Sequence, residues 1–153
     1  MDLLDQKETI EKNDRQQMIK SIRNFSDQLK EAEAIGRSLS LGSGFGRSLS
    51  NIVFSGLGGS AIGADFIRSY LAYDISVPIF VNRHYRLPRF VDEKTLLIVS
   101  SYSGDTEETL SAFNQGLEKG TKIWGITSGG ELARLARVHS FPQIGRASCR
   151  ERV

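Results

Sequence analysis

The sequence predicts an α/β fold, a doubly wound parallel sheet in three αβα layers with an amphipathic helix ahead of it. Three observations carry this expectation. From residue 51 onward, short apolar runs alternate with helical patterns, as in successive βα units. Turns rich in glycine and hydroxyl residues follow the first and third of those runs. Before residue 51, one apolar stripe recurs at helical spacing among charged and amide side chains.

Taken in order, Met18, Ile22, Phe25 and Leu29 form that stripe, and the pattern extends through Ala32 and Ile35. Residues 36–50 are rich in Gly and Ser and read as a linker; the pentapeptide GRSLS occurs twice there, far below the period of any repeat architecture. Strands are expected over 52–54, 77–81, 95–100 and 122–126, with Pro78 near the start of the second, where a missing N–H is tolerated. Helices are expected over 60–71, around the stripe Leu110, Phe113 and Leu117, and over 131–137. The organisation is therefore a helix and linker over 1–50 and an α/β domain over 51–143 that breaks off at its C-terminal end.

The last ten residues, 144–153, read IGRASCRERV, which resembles the in-frame translation of a sequencing-library adapter. They are read as a non-native tail and kept out of the fold assignment. That tail holds the single cysteine, Cys149, and its three arginines against one glutamate carry the whole formal charge of +2. Without it the chain is neutral, which gives no basis for a nucleic-acid partner. A length of 153 residues with 39% hydrophobic and 25% charged content suits one domain of common size. No apolar run is long enough to cross a bilayer, and the acidic, polar opening MDLLD lacks the order of a signal peptide, so no membrane partner and a cytoplasmic location are expected. His84 and His139 stand too far apart for metal-ligand spacing, and no metal is expected.

In a doubly wound sheet, ligands bind beyond the carboxyl ends of the strands where the strand order reverses. Three loops are candidates: 56–60, 101–106 and 127–130. The richest is SYSGDTEET at 101–109, where Ser101, Ser103 and Thr106 gather hydroxyls beside a helix start whose free amides and dipole favour an anion. Asp105, Glu107 and Glu108 oppose an anion unless they point away; Asp105 and Glu108 have capping-box spacing and are expected to cap the helix that follows. The first loop, GLGGSA at 56–61, fits the relaxed dinucleotide pattern G-x-G-x-x-A. The end of the second strand reads Val81-Asn82-Arg83-His84, however, without the acid that would take a ribose hydroxyl, although the arginine there could suit a 2′-phosphate. Two hydroxyl-bearing loops favour a compact phosphorylated ligand over a dinucleotide. The loop 127–130 is either a third ligand loop or a plain helix start. His84 is expected in a solvated loop, Trp124 in the core, and Asp65 as a surface or capping partner.

Together GLGGSAIGAD, the segment NRHYRLP at 82–88, SYSGDTEET and ITSGGEL at 126–132 resemble the sugar isomerase (SIS) domain, and more narrowly the bifunctional phosphoglucose/phosphomannose isomerases. The similarity runs over about residues 13–142. It implies a flavodoxin-like SIS fold and a family that interconverts glucose 6-phosphate or mannose 6-phosphate with fructose 6-phosphate, with no metal or other cofactor. It implies that Gly59 and Ser60 contact the sugar and that Ser101, Ser103 and Thr106 hold the phosphate. It further implies a homodimer for the full-length protein, with two SIS domains in tandem and a catalytic glutamate, histidine and lysine in the second. That domain is absent from this chain, so the fragment is expected to be inactive alone. A binding arginine expected after the fourth βα unit is replaced by the tail, and neither Arg146 nor Arg150 is assigned to its place. The chain has Asp105 where the family usually has asparagine and Ala64 where it often has glycine; the first departure is expected to weaken phosphate affinity. A non-catalytic SIS sensor domain and a dinucleotide-binding module are the alternatives.

Overall fold

The computed structural model describes residues 6–38 and 48–145. They fall into two units, a set of N-terminal helices and an α/β domain.

The N-terminal unit holds α1 (Lys7–Asn13), α2 (Met18–Arg23) and α3 (Phe25–Ser38). The single helix expected across the stripe is broken at Asn24, whose N–H turns back to the carbonyls of Lys20 and Ile22. Asp14 starts α2 by accepting the N–H groups of Met18 and Ile19 at 2.6 and 3.0 Å. The stripe residues Met18, Ile22, Phe25 and Leu29 are all exposed. α1 was not expected from the sequence, since it buries no residue and presents no stripe. α3 extends through Ser38, three residues into the expected linker, and residues 39–47 lie outside the described residues.

The second unit is a five-stranded, wholly parallel sheet in the order β2-β1-β3-β4-β5. Its strands are β1 (Asn51–Ser55), β2 (Ile79–Asn82), β3 (Thr95–Ser101), β4 (Lys122–Thr127) and β5 (Gln143–Gly145). β3 lies at the centre, and all seven of its residues are buried, as expected of a parallel strand covered on both faces. Register follows from the apolar pattern: Val53 pairs with Phe80 on one side and Leu97 on the other, while Ile98 pairs with Trp124.

Between the strands run α4 (Gly59–Tyr70), α5 (Glu107–Glu118) and α6 (Gly130–His139). Val53, Leu97, Val99 and Ile123 form one core with Ala112 and Phe113 of α5 and Leu132 of α6. Phe113 is fully buried at its centre, 5.2 Å from the ring centroid of Phe141. Gly116 brings α5 close to the sheet, since a Cβ there would strike the Leu97 side chain. α4 buries only Ala61 and Ala64, and Ile62, Phe66 and Tyr70 remain exposed along its outer side. Trp124, expected in the core, is partly buried.

The strand β5 was not expected. It pairs Gln143, Ile144 and Gly145 with Gly125, Ile126 and Thr127, carrying the sheet two residues past the boundary read at 143. Three residues are too few to show a strand period in sequence. Residues 146–153 of the adapter-like stretch, including Cys149, lie outside the described residues.

Candidate functional site

The strand order reverses between β1 and β3: from β1 the chain crosses to β2 on one side, and from β3 to β4 on the other. The β1–α4 and β3–α5 loops therefore leave the carboxyl edge of neighbouring strands and diverge, which opens a crevice between them. They approach closely at its floor, where a Cβ on Gly56 would lie 2.8 Å from the Ser100 carbonyl oxygen.

The β3–α5 loop brings together the three hydroxyl residues expected there. Ser101 is buried at the end of β3, and its Oγ lies 2.8 Å from Thr106 Oγ1 and 3.5 Å from Ser103 Oγ. The same oxygen accepts the Gly104 N–H at 3.0 Å, and Ser103 Oγ accepts the Asp105 N–H at 3.2 Å. Gly104 makes the turn with φ at +81°. Thr106 is the N-cap of α5, yet its side chain makes no capping bond, because its hydroxyl is turned to Ser101. The first turn of α5 thus keeps its amide donors free of a side-chain cap while three hydroxyls stand beside it, a combination suited to an anion.

Two of the three carboxylates, Asp105 and Glu107, are engaged elsewhere. Glu107 accepts the Tyr85 hydroxyl at 3.1 Å, and this bond, with some desolvation and the charge of Glu108, raises the phenol above its ordinary pKa. Asp105 does not cap α5 as its spacing had indicated. Its Oδ1 accepts the Glu131 N–H at 2.8 Å, at the start of α6, because the left-handed turn at Gly104 carries it toward that helix. The loop 127–130 is committed in the same way. Ser128 donates its N–H to the Tyr102 carbonyl at 3.2 Å and Leu132 donates to the Gly104 carbonyl at 3.0 Å, while Thr127 Oγ1 donates to the Gly129 carbonyl at 2.8 Å. This segment is a brace for the β3–α5 loop. Glu131 itself is held by Arg134 at 2.6 and 2.7 Å, which lowers its carboxyl below the usual range and raises the guanidinium.

Gly59 and Ser60 open α4 and line a cavity of about 230 Å3 together with Phe54, Ser100, Tyr102 and Ile126. No Cβ on Gly59 would meet a neighbour, so the space above it is open to a ligand. Ser101, Ser103 and Thr106 lie on the adjacent loop and are not among the residues lining this cavity. Tyr102, which sequence reasoning passed over, is the residue of the hydroxyl-rich loop that reaches it.

The segment after β2 is pinned rather than free. Asn82 is buried and donates to Ser55 Oγ at 3.2 Å and to the His84 carbonyl at 2.8 Å. Arg83 pairs with Asp65 of α4, which Arg68 also approaches at 3.5 Å, so Asp65 is a surface ion-pair partner. Gln115 and Ser111 of α5 both donate to the Tyr85 carbonyl, at 2.6 and 2.9 Å. His84 is exposed, as expected of a solvated loop. Among the described residues no cluster of three His, Cys, Asp or Glu is placed to hold a metal, and no helix is long and apolar enough to cross a membrane.

A five-stranded parallel sheet in this order is the architecture of the SIS phosphosugar isomerases. A candidate phosphosugar isomerase from Clostridium difficile 630 superimposes with a TM-score of 0.62 at 18% identity, over 88% of this chain and 37% of that one. Tagatose-6-phosphate ketose/aldose isomerase from Escherichia coli gives a TM-score of 0.56 at 21% identity, over 81% of this chain and 35% of that one. These likenesses concern the fold. In sequence, the chain is 43% identical over 127 residues to the bifunctional phosphoglucose/phosphomannose isomerase of Caldicellulosiruptor bescii, covering 83% of this chain and 37% of the relative. It is 48% identical over 89 residues to that of Thermoplasma acidophilum, covering 58% and 27% respectively. No family model matches the chain. The chain has the SIS phosphosugar-isomerase fold and is homologous to the bifunctional phosphoglucose/phosphomannose isomerases over about a third of their length.

Proposed function

We propose that this chain is the sugar-phosphate-binding domain of an isomerase that interconverts glucose 6-phosphate or mannose 6-phosphate with fructose 6-phosphate in the cytoplasm. The observation that carries this is the grouping of Ser101, Ser103 and Thr106 beside the uncapped start of α5. In this reading Ser101, Ser103 and Thr106 and the α5 amides hold the phosphate, and Gly59 and Ser60, across the reversal of strand order, contact the sugar. The names of its curated relatives support the substrate class.

Binding and turnover are separate matters. Aldose–ketose isomerisation needs a base that moves a proton between C1 and C2 and groups that stabilise the oxyanion formed. At this edge of the sheet Asp105 and Glu107 are engaged by the Glu131 N–H and the Tyr85 hydroxyl, so neither is assigned that role. The chain spans 37% and 27% of the two relatives described above, and the catalytic groups are assigned to the part of such proteins that it does not match. The intact protein is proposed to be a homodimer working without metal or other cofactor. The dinucleotide alternative is weaker, since Asn82 is consumed by Ser55 and His84, and Arg83 by Asp65. A coupled isomerase assay on the purified chain, run alongside titrations with fructose 6-phosphate and NADP, tests the proposal. Binding of the sugar phosphate without turnover is expected; normal turnover, or binding of NADP alone, would overturn it.

A further inference from the structure

We propose that Asp105 is a positioning residue of this site: its carboxylate latches the β3–α5 loop to the first turn of α6 and thereby sets the geometry of the Ser101, Ser103 and Thr106 hydroxyls. The inference rests on the sugar-phosphate reading above. Four bonds join the loop to α6 and its approach: the Ser128 N–H, at 3.2 Å, and the Ser128 hydroxyl both donate to the Tyr102 carbonyl, the Leu132 N–H donates to the Gly104 carbonyl at 3.0 Å, and the Glu131 N–H donates to Asp105 Oδ1 at 2.8 Å. Those from the Ser128 and Leu132 N–H groups are backbone bonds that any sequence of suitable conformation could make. Of the two that depend on a side chain, only the last uses a side chain of the loop itself, since the Ser128 hydroxyl belongs to the approach to α6.

Asp105 is also tied to the site through its own backbone, since its N–H donates to Ser103 Oγ at 3.2 Å. Ser103 is exposed, and its other hydroxyl neighbour, Ser101 Oγ, is at the longer distance of 3.5 Å. Holding the Asp105 side chain on α6 therefore fixes the peptide that orients the Ser103 hydroxyl. The site makes room for the latch at Gly130, where a Cβ would lie 2.8 and 2.9 Å from the two carboxylate oxygens.

The same bond answers the electrostatic objection to a carboxylate beside an anion site. The positive end of the α6 dipole faces the Asp105 charge and partly offsets it. The two helix starts at this edge thus divide their roles, with the α6 amides of Glu131 and Leu132 taken by the loop and the start of α5 left to the ligand.

The test compares the full chain with Asp105→Ala and Asp105→Asn, reading amide hydrogen exchange at Glu131 without ligand and fructose 6-phosphate affinity by calorimetry. In Asp105→Ala the Glu131 amide is expected to exchange about tenfold faster, and the sugar phosphate to bind about tenfold more weakly as the hydroxyls lose their alignment. Asp105→Asn keeps an acceptor oxygen at the same place and removes the charge, so it is expected to keep the Glu131 amide protected and to bind fructose 6-phosphate at least as tightly as wild type. An Asp105→Ala protein that loses Glu131 protection but binds as tightly as wild type would overturn the latch and leave the site standing. A wild-type chain that binds no fructose 6-phosphate would overturn the site, and the latch with it. If Asp105→Ala does not fold, Asp105→Asn and the wild type decide: an unprotected Glu131 amide in the wild type, or weak binding in a folded Asp105→Asn with that amide protected, would overturn the proposal.

Discussion

Gly104 and Gly129 meet backbone to backbone across the carboxyl edge of the sheet, so closely that a Cβ on Gly104 would overlap the Gly129 carbonyl. Gly104 is also in the left-handed region, at φ +81°. Gly104→Ala therefore combines backbone strain with a clash against main chain that has little freedom to retreat. The substitution is expected to destabilise the domain by about 2–4 kcal/mol, read as a lower urea midpoint with an unchanged slope. A midpoint within error of wild type would show that the two loops separate without cost.

Ser101→Ala tests the polar floor of the loop. Its Oγ accepts the buried Gly104 N–H and bonds Thr106 Oγ1, and the residue is only 1% exposed. Leaving that amide unpaired is expected to cost about 1–3 kcal/mol, measured by denaturant unfolding, and to weaken sugar-phosphate binding. Binding that is unaffected would remove Ser101 from the phosphate site.

Phe113→Ala separates core from site. The ring is fully buried among Leu97, Ala112 and Phe141, away from the crevice. A loss of about 3–5 kcal/mol is expected, with ligand affinity retained in the fraction that stays folded. An affinity loss as large as that of Ser101→Ala would show that the two regions are coupled.

Tyr85 supplies a pH dependence. Its phenol is held above the ordinary tyrosine pKa, first by the bond to Glu107, then by desolvation and the charge of Glu108. A pKa raised on folding adds stability below the ordinary tyrosine value, and that contribution disappears as pH rises through the raised value. Tyr85→Phe should lack this part of the alkaline fall in stability, followed by thermal melts across the tyrosine range. Because the pair is exposed, the difference is expected to be small; an identical alkaline limb in both proteins would show that the bond contributes nothing.

What the sequence disclosed depended on how local the cause was. β3 was legible because a parallel strand covered on both faces is a continuous apolar run, and the loop 101–106 because its hydroxyls are neighbours in sequence. α1 and β5 were not, the first being a helix with no buried face and the second too short to show a period. The stripe from Met18 to Leu29 signalled helix correctly but not the break at Asn24, which its spacing does not register. Asp105 shows the limit most clearly. Its spacing to Glu108 named a local capping role, while the donor it takes is 26 residues away on α6 and is reached only once the Gly104 turn has formed. The glycines at 104, 129 and 130 permit that contact, but nothing local says which backbones will meet.

The uncapped start of α5 and its three hydroxyls are proposed to hold the phosphate of a sugar phosphate. Thr106→Val tests this most directly, because the Thr106 hydroxyl makes no capping bond to α5 and its removal leaves the isosteric side chain in place. Calorimetric titration of fructose 6-phosphate into the wild-type chain should be saturable and competed by inorganic phosphate. In Thr106→Val it should be about tenfold weaker, the loss of one hydrogen bond to a charged group. Equal affinity in the two proteins, or no binding in the wild type, would contradict the account.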